Sequence, residues 1–291
     1  MKFSLIMATL GRYDEVGRLL TSLAKQSFTG FELIVVDQNK DDRVKQLCRE
    51  YQSSMDIHYL HLDRVGLSLA RNAGLHIARG DIVAFPDDDC EYPADLLARI
   101  SERFSAHAEI DGLTGVPRNK VTGMQCAGRF DTRGGPISPG NVWRRAIAFT
   151  IFAQRTVADS INGFDEGLGL GAKFGSSEET DFLLRALHRG SRMLYCPDIF
   201  VYHPDPLATF DSKSAARAYS YGLGIGAVCK KHVFHYHTLA LIPQTLILLA
   251  RPLAGCLRYS LVDRNKSRYY LASLKGRLAG LIRYPSCKAP G

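Results

Sequence analysis

The sequence predicts an α/β protein built on a doubly wound, mostly parallel sheet, and three observations carry that prediction. Apolar runs of strand length alternate with helix-length segments through the first 116 residues. Three of those runs end at polar residues suited to ligand contact, Thr9, Asp37 and Asp87. In sheets of this kind ligands bind in the crevice beyond the carboxyl ends of the strands, so the coincidence marks one end of the sheet as a site.

Lys2–Ala8 reads as the first strand, and Val16, Leu19, Leu20, Leu23 and Ala24 follow at helical spacing. Phe31–Val36 is the second strand, a polar helix runs through Val44–Tyr51, and Ile57–Leu62 is the third strand. Gly66–Ala78 reads as a helix and Asp81–Phe85 as the fourth strand. Leu96, Leu97, Ile100 and Phe104 line a further helix before a strand at Ile110–Val116. The Gly-rich, polar stretch from Asn119 to Pro139 predicts a long functional loop. Beyond it, Ala148–Gln154 is strand-like and Glu178–Leu187 is a helix whose first turn carries acids, where the helix dipole favours them. Two short strands, Met193–Cys196 and Ile199–Tyr202, flank Pro197.

With 46% hydrophobic and 23% charged residues the chain has the balance of a folded globular protein. Its 291 residues allow one domain of roughly 200–250 residues with an appendage. Seven scattered cysteines, without a CxxC pair, read as reduced thiols. The N-terminal apolar run is too short for a secretory signal and is expected to be the first strand. The net charge of +8 is unevenly distributed. From Lys213 onward there are thirteen Lys or Arg against the single Asp263. The division therefore falls at 1–211, an α/β domain, and 212–291, a basic helical extension.

The sharpest local feature is Asp87-Asp88-Asp89, which follows the apolar strand directly. Three adjacent carboxylates repel one another, and a divalent cation held by one or two of them together with phosphate oxygens removes that repulsion. Taken in order, TLGR (9–12), IVVD (34–37), ARNAG (70–74), FPDDD (85–89), GFDE (163–166) and EETDFLLR (178–185) resemble the family 2 inverting glycosyltransferases of the GT-A fold, of the bacterial membrane-associated type. The resemblance covers about residues 1–205. It implies a nucleotide-sugar donor, UDP on family frequency, a DxD-type site for Mn²⁺ or Mg²⁺, and one catalytic carboxylate.

Carried over by residue, the resemblance puts Thr9, Arg12, Asp37, Arg71 and Asp87 at the donor. The metal candidates are Asp87, Asp88 and Asp89, with His203 as a further ligand. Matching from the preceding strand selects Asp87 and Asp89, whereas matching from Pro93 selects Asp88, so all three remain candidates. The base is expected at Glu179, with Glu178 and Asp181 as its neighbours and alternates. An inverting transfer needs only one carboxylate, to take the acceptor hydroxyl's proton.

In the extension, His232–Ala250 lacks any Lys, Arg, Asp or Glu, but its three His, Pro243 and Gln244 make it a poor apolar span. Leu271, Leu274, Leu278, Leu281 and Ile282 form a helical stripe with Lys275, Arg277 and Arg283 off it, the pattern of a helix lying in a membrane interface. An anionic membrane surface is therefore the expected partner, with a lipid-linked saccharide acceptor and a peripheral location on the cytoplasmic face. No nucleic-acid-binding motif accompanies the charge. Two alternatives share the fold. A sugar nucleotidyltransferase would carry a Gly-rich loop after the first strand, where TLGRYDEV has only Gly11 and Gly17. A catalytically degenerate scaffold would be free to lose its acidic sites, and both are present.

Overall fold

The computed structural model describes residues 1–205 and 209–285. The first half alternates as expected: β1 (Phe3–Thr9), α1 (Asp14–Leu23), β2 (Phe31–Asp37), α2 (Arg43–Tyr51), β3 (Asp56–His61), α3 (Leu67–Ile77), β4 (Ile82–Ala84), α4 (Leu96–Ala106) and β5 (Gly112–Arg118). Then come β6 (Gly135–Pro136), α5 (Val142–Arg145), β7 (Ile151–Gln154), α6 (Arg155–Ser160), α7 (Glu178–His188) and β8 (Met193–Tyr202). The chain closes with α8 (Ser212–Lys230), a π-turn at Lys231–His235, α9 (Ile242–Tyr259) and α10 (Arg264–Arg283). The strands form one sheet in the order β3-β2-β1-β4-β7-β5-β8-β6. β3, β2, β1 and β4 run parallel, β7 runs antiparallel to its neighbours β4 and β5, and β5 and β8 are again parallel.

Side chains alternate across the sheet, so each strand feeds two cores. Phe3, Leu5 and Met7 pack towards α1, α2 and α4, while Ile6, Ile34 and Val36 join the core that contains Phe164, Phe182 and Leu183. At Gly74 of α3 a β-carbon would collide with the Ile6 side chain, so glycine lets the helix lie directly on β1.

Three details depart from the sequence reading. Ala148–Thr150 is a 3₁₀ turn rather than the start of a strand. The two strands around Pro197 are one, β8, because the register on β5 shifts between Thr114 and Val116 and absorbs the residue that cannot donate to the ladder. Within the loop at 119–139 only Gly135–Pro136 pairs as strand, along the edge of β8.

The extension packs on the α/β body through α8, whose hydrogen bond from Ser176 Oγ to the Tyr221 carbonyl (2.8 Å) joins it to the segment before α7. α8 and α10 cross through glycines. A β-carbon on Gly222 or Gly226 would collide with the α10 backbone, and one on Gly276 or Gly280 with that of α8. The buried face of α10 is thus glycine, and Leu271, Leu278 and Ile282 point outward. Arg277, expected beside the stripe, turns inward instead and donates to the Leu248 carbonyl of α9. Among the described residues one segment, Leu239–Tyr259, is long and apolar enough to cross a membrane, because the helix continues through Arg251 to Tyr259. Six cysteines are free thiols, and Cys287 lies outside the described residues.

Candidate active site

The parallel register places Thr9 beside Asp37, and an isolated bridge places Asp87 beside Ala8, so the three strand ends converge. Asp37 has no exposed surface. Its carboxylate accepts from the backbone N–H and side-chain amide of Asn39 (2.9 and 2.7 Å) and from the Tyr59 hydroxyl (2.8 Å). It therefore fixes the loop after β2.

The acidic triplet divides by direction. Asp88 turns towards the first loop, accepting from the Thr9 hydroxyl (2.8 Å) and from Arg12. Asp87 and Asp89 each turn an oxygen towards His203, all within 4.8 Å of one another, while the other oxygen of Asp89 pairs with Arg12 Nη1 (2.7 Å). Asp89 Oδ1 is buried without a hydrogen-bond partner and lies 3.4 Å from His203 Nε2. Two carboxylates, one imidazole and an orphaned buried oxygen fit a divalent cation, and the mixed oxygen–nitrogen set suits Mn²⁺ better than Mg²⁺. Burial pushes the Asp87 carboxyl up to about 6 against the pull of Arg71. Burial also opposes ionisation of Asp89, but the adjacent His203 imidazole and the Arg12 guanidinium outweigh it and hold that carboxyl low.

Arg71 joins this group to the acids of α7. It is 1% exposed, donating to Asp87 Oδ1 and to Glu178 Oε1, both at 2.9 Å, with its guanidinium 5.3 Å from the Phe164 ring centroid. Phe164 is held by Asn72, whose side chain accepts from its N–H (2.7 Å) and donates to its carbonyl (2.9 Å). The ARNAG and GFDE segments thus assemble as a unit.

The three acids at 178–181 separate sharply. Glu178 is buried on Arg71. Glu179 is only partly buried, and its carboxyl is pushed up by burial and by the neighbouring Glu178 carboxylate. Asp181 is fully buried between Arg185 Nε (2.7 Å), Lys231 Nζ (2.8 Å) and His232 Nε2 (2.8 Å). Burial favours its neutral form, but these three partners hold it far below the usual carboxylate range. Ser177 takes a left-handed conformation (φ 67°) to start α7, strain of the kind that gathers at functional sites. Gly169 (φ 96°) sits against Ser68 and Glu178, where a side chain would intrude.

Asn39, Tyr59, Lys231 and His232 were not singled out in the sequence. An Asn two residues after a strand-end Asp is a local turn signal that would have found Asn39. No spacing rule reaches Lys231. A second acidic group, Glu32, Asp56 and His58, lies at the opposite strand ends, where Lys2 Nζ approaches Asp56 (3.3 Å) and Glu32 (3.5 Å) and supplies the countercharge.

A mostly parallel sheet with helices on both faces and an acidic, cation-ready crevice at its carboxyl ends defines a nucleotide-binding α/β protein of the GT-A type. Residues 4–142, just under half of the chain, match the profile of glycosyl transferase family 2. Over 93 residues it is 37% identical to TarS of Staphylococcus aureus, a poly(ribitol-phosphate) beta-N-acetylglucosaminyltransferase. That match covers 31% of this chain and 16% of TarS, so the chain spans about a sixth of that relative's length. The succinoglycan biosynthesis protein ExoM of Rhizobium meliloti is 29% identical over 206 residues, 67% of this chain and 64% of ExoM. A mannosyltransferase of Pyrobaculum calidifontis, solved with GDP-Man and Mn²⁺, superposes with a TM-score of 0.66 over 96% of this chain and 87% of its own, at 15% identity.

Proposed function

We propose that the protein is an inverting glycosyltransferase that moves a sugar from a nucleotide-diphosphate donor, UDP first, to a lipid-linked saccharide acceptor in polysaccharide or glycoconjugate synthesis. The observation that carries the reading is Arg71, buried between Asp87 of the cation-ready group and Glu178 at the start of α7. It couples the end of the crevice suited to a diphosphate to the helix that carries Glu179. Thr9, Arg12, Asp37 and Arg71 surround the nucleotide in this reading, and Asp87, Asp89 and His203 hold the cation. When bound, Mn²⁺ or Mg²⁺ supplies positive charge against that developing on the diphosphate. Glu179 takes the proton of the acceptor hydroxyl, whose oxygen bonds to the anomeric carbon as the bond to the diphosphate breaks. The raised proton affinity of Glu179 suits a base working near neutral pH.

The acceptor and location rest on the extension. Leu246 (62% exposed), Leu253, Leu257, Leu278 and Ile282 (75%) form an uncovered apolar surface on α9 and α10, interleaved with Arg251, Arg258, Arg268 and Lys275. That combination matches an interfacial helix pair on the anionic cytoplasmic leaflet, with Arg251 arguing for an in-plane helix over a span. The name of TarS points to a poly(ribitol-phosphate) acceptor and that of ExoM to succinoglycan biosynthesis. The test is a panel of UDP-, GDP- and dTDP-sugars with Mn²⁺ or EDTA, read by thermal shift and by release of the nucleotide diphosphate. A donor that stabilises the protein and turns over only with the cation is the expected result. Absence of any donor-dependent shift or turnover across the panel rejects the reading.

A further inference from the structure

The acids of two separate sequence motifs, Asp165 of GFDE and Asp181 of EETD, share one cation, and it comes from the C-terminal extension. Lys231, 8% exposed, places its ammonium 2.7 Å from Asp165 Oδ2 and 2.8 Å from Asp181 Oδ1. It opens the π-turn that ends α8, and such turns recur where a helix is bent to aim side chains at a site. His232 follows and bonds Asp181 Oδ1 (2.8 Å) with its Nε2. Its other ring nitrogen is buried without a partner, as expected for a neutral imidazole donating through Nε2. Tyr284 beyond α10 adds its hydroxyl to Asp165 (3.1 Å), and Lys230 donates to the Tyr284 carbonyl (2.7 Å). The extension thus ends on the first turn of α7, two residues from Glu179.

We infer that Lys231 is a positioning residue for the transfer: by neutralising Asp165 and Asp181 together it locks the GFDE loop to the first turn of α7 and so sets where Glu179 stands. The inference rests on Glu179 being the base. Its physical content is a charge balance. Asp165, Asp181, Lys231 and Arg185 sum to zero around a buried point, and removing Lys231 leaves two carboxylates with one cation among them. A buried carboxylate deprived of its partner is strongly destabilised. The strain falls where the two motifs meet: Phe164, next to Asp165, stacks on Phe182, next to Asp181, with ring centroids 4.9 Å apart. Arg71 rests against that same Phe164. A helix turn displaced here by a fraction of an ångström misplaces the base, and misplacement near 1 Å can cost ~100-fold in rate.

The test compares Lys231→Met, Lys231→Arg and the double variant Lys231→Met/Asp165→Asn in the full chain. The expected result for Lys231→Met is a fall in kcat of at least about tenfold with donor KM within about threefold. Hydrogen–deuterium exchange at residues 178–183 should be faster in the same variant. Lys231→Arg should recover part of the rate. The double variant, with the carboxylate excess removed, should recover most of it and restore exchange protection, which no loss of packing alone predicts. Wild-type kcat and exchange in Lys231→Met, or a double variant no better than the single, overturns the inference. The exchange measurement needs no donor, so a wild-type chain inactive on every donor rejects the proposed function while leaving this one readable.

Discussion

Replacing Glu179 with Gln separates catalysis from stability, because the structure predicts opposite signs for the two. The substitution keeps the shape of the side chain and removes its ability to take a proton. General-base catalysis contributes roughly 10²–10⁴-fold, so turnover should fall by that factor, ~3–5 kcal/mol of barrier. Donor affinity should stay near wild type. Stability should move the other way. Burial and the Glu178 carboxylate push the Glu179 carboxyl up to about 8, above its unfolded value near ~4.3. Ionisation therefore disfavours the folded state. The penalty is absent below pH ~4, grows as pH rises towards 8, and is constant beyond. Each unit of displacement is ~1.4 kcal/mol. Because Glu179 is partly exposed, solvent screening reduces the total, and a gain on the order of 1–3 kcal/mol at pH 8 is expected for the Gln variant. Urea titrations of both proteins at pH 4.5 and pH 8, with nucleotide-diphosphate release at pH 8, measure the two effects. Turnover within about threefold of wild type would move the base to Glu178 or Asp181. Equal stability differences at the two pH values would show that the Glu179 carboxyl is not perturbed as the site requires.

Asp89→Asn and His203→Ala should each raise the Mn²⁺ concentration for half-maximal turnover at least about tenfold, while Asp88→Asn, which removes one of the two carboxylates paired with Arg12, should change that requirement little. Equal effects from all three would place the cation differently. Co-sedimentation with anionic vesicles at low salt should exceed that with neutral vesicles, and a salt-resistant fraction should persist through the apolar face. Leu253→Gln/Leu257→Gln should remove that fraction, and a chain that stays in the supernatant with anionic vesicles would refute membrane docking.

The alternation of strands and helices was legible because each element carries its own period: Val16, Leu19, Leu20 and Leu23 mark α1 as plainly as the apolar run at Phe31–Val36 marks β2. The site was legible where strands end, since register in a parallel sheet brings Thr9, Asp37 and Asp87 to one edge whatever the loops do. Direction within the triplet was not. Adjacent residues on a turn point different ways, and no sequence period shows that Arg12 meets Asp88 and Asp89 while Asp87 and Asp89 approach His203. The packing face of α10 was hidden for another reason. The apolar stripe reads as a membrane-facing surface, and Leu271, Leu278 and Ile282 do point outward, but no apolar period marks Gly276 and Gly280 as the face that meets α8. The contacts of Lys231 were beyond reach, because they span fifty residues to Asp181 and sixty-six to Asp165 without local periodicity.

The proposal that Glu179 is the base draws its strongest support from what the other acids of its helical turn are doing. Residues 178, 179 and 181 start the same helix, and its 100° step sends each to a different environment. Glu178 meets Arg71, and Asp181 meets Arg185, Lys231 and His232, so both carboxylates are neutralised in place. A carboxylate bound to buried cations is a poor proton acceptor, because protonation would strand those cations. Glu179 alone of the three has no ion pair among the described residues; it is partly accessible to solvent, and burial and the Glu178 carboxylate raise its proton affinity. The Arg71 and Lys231 contacts therefore do more than hold α7 in place. By occupying the acids on either side, they leave Glu179 as the unpaired carboxyl of the turn, the one the proposed transfer uses to exchange a proton.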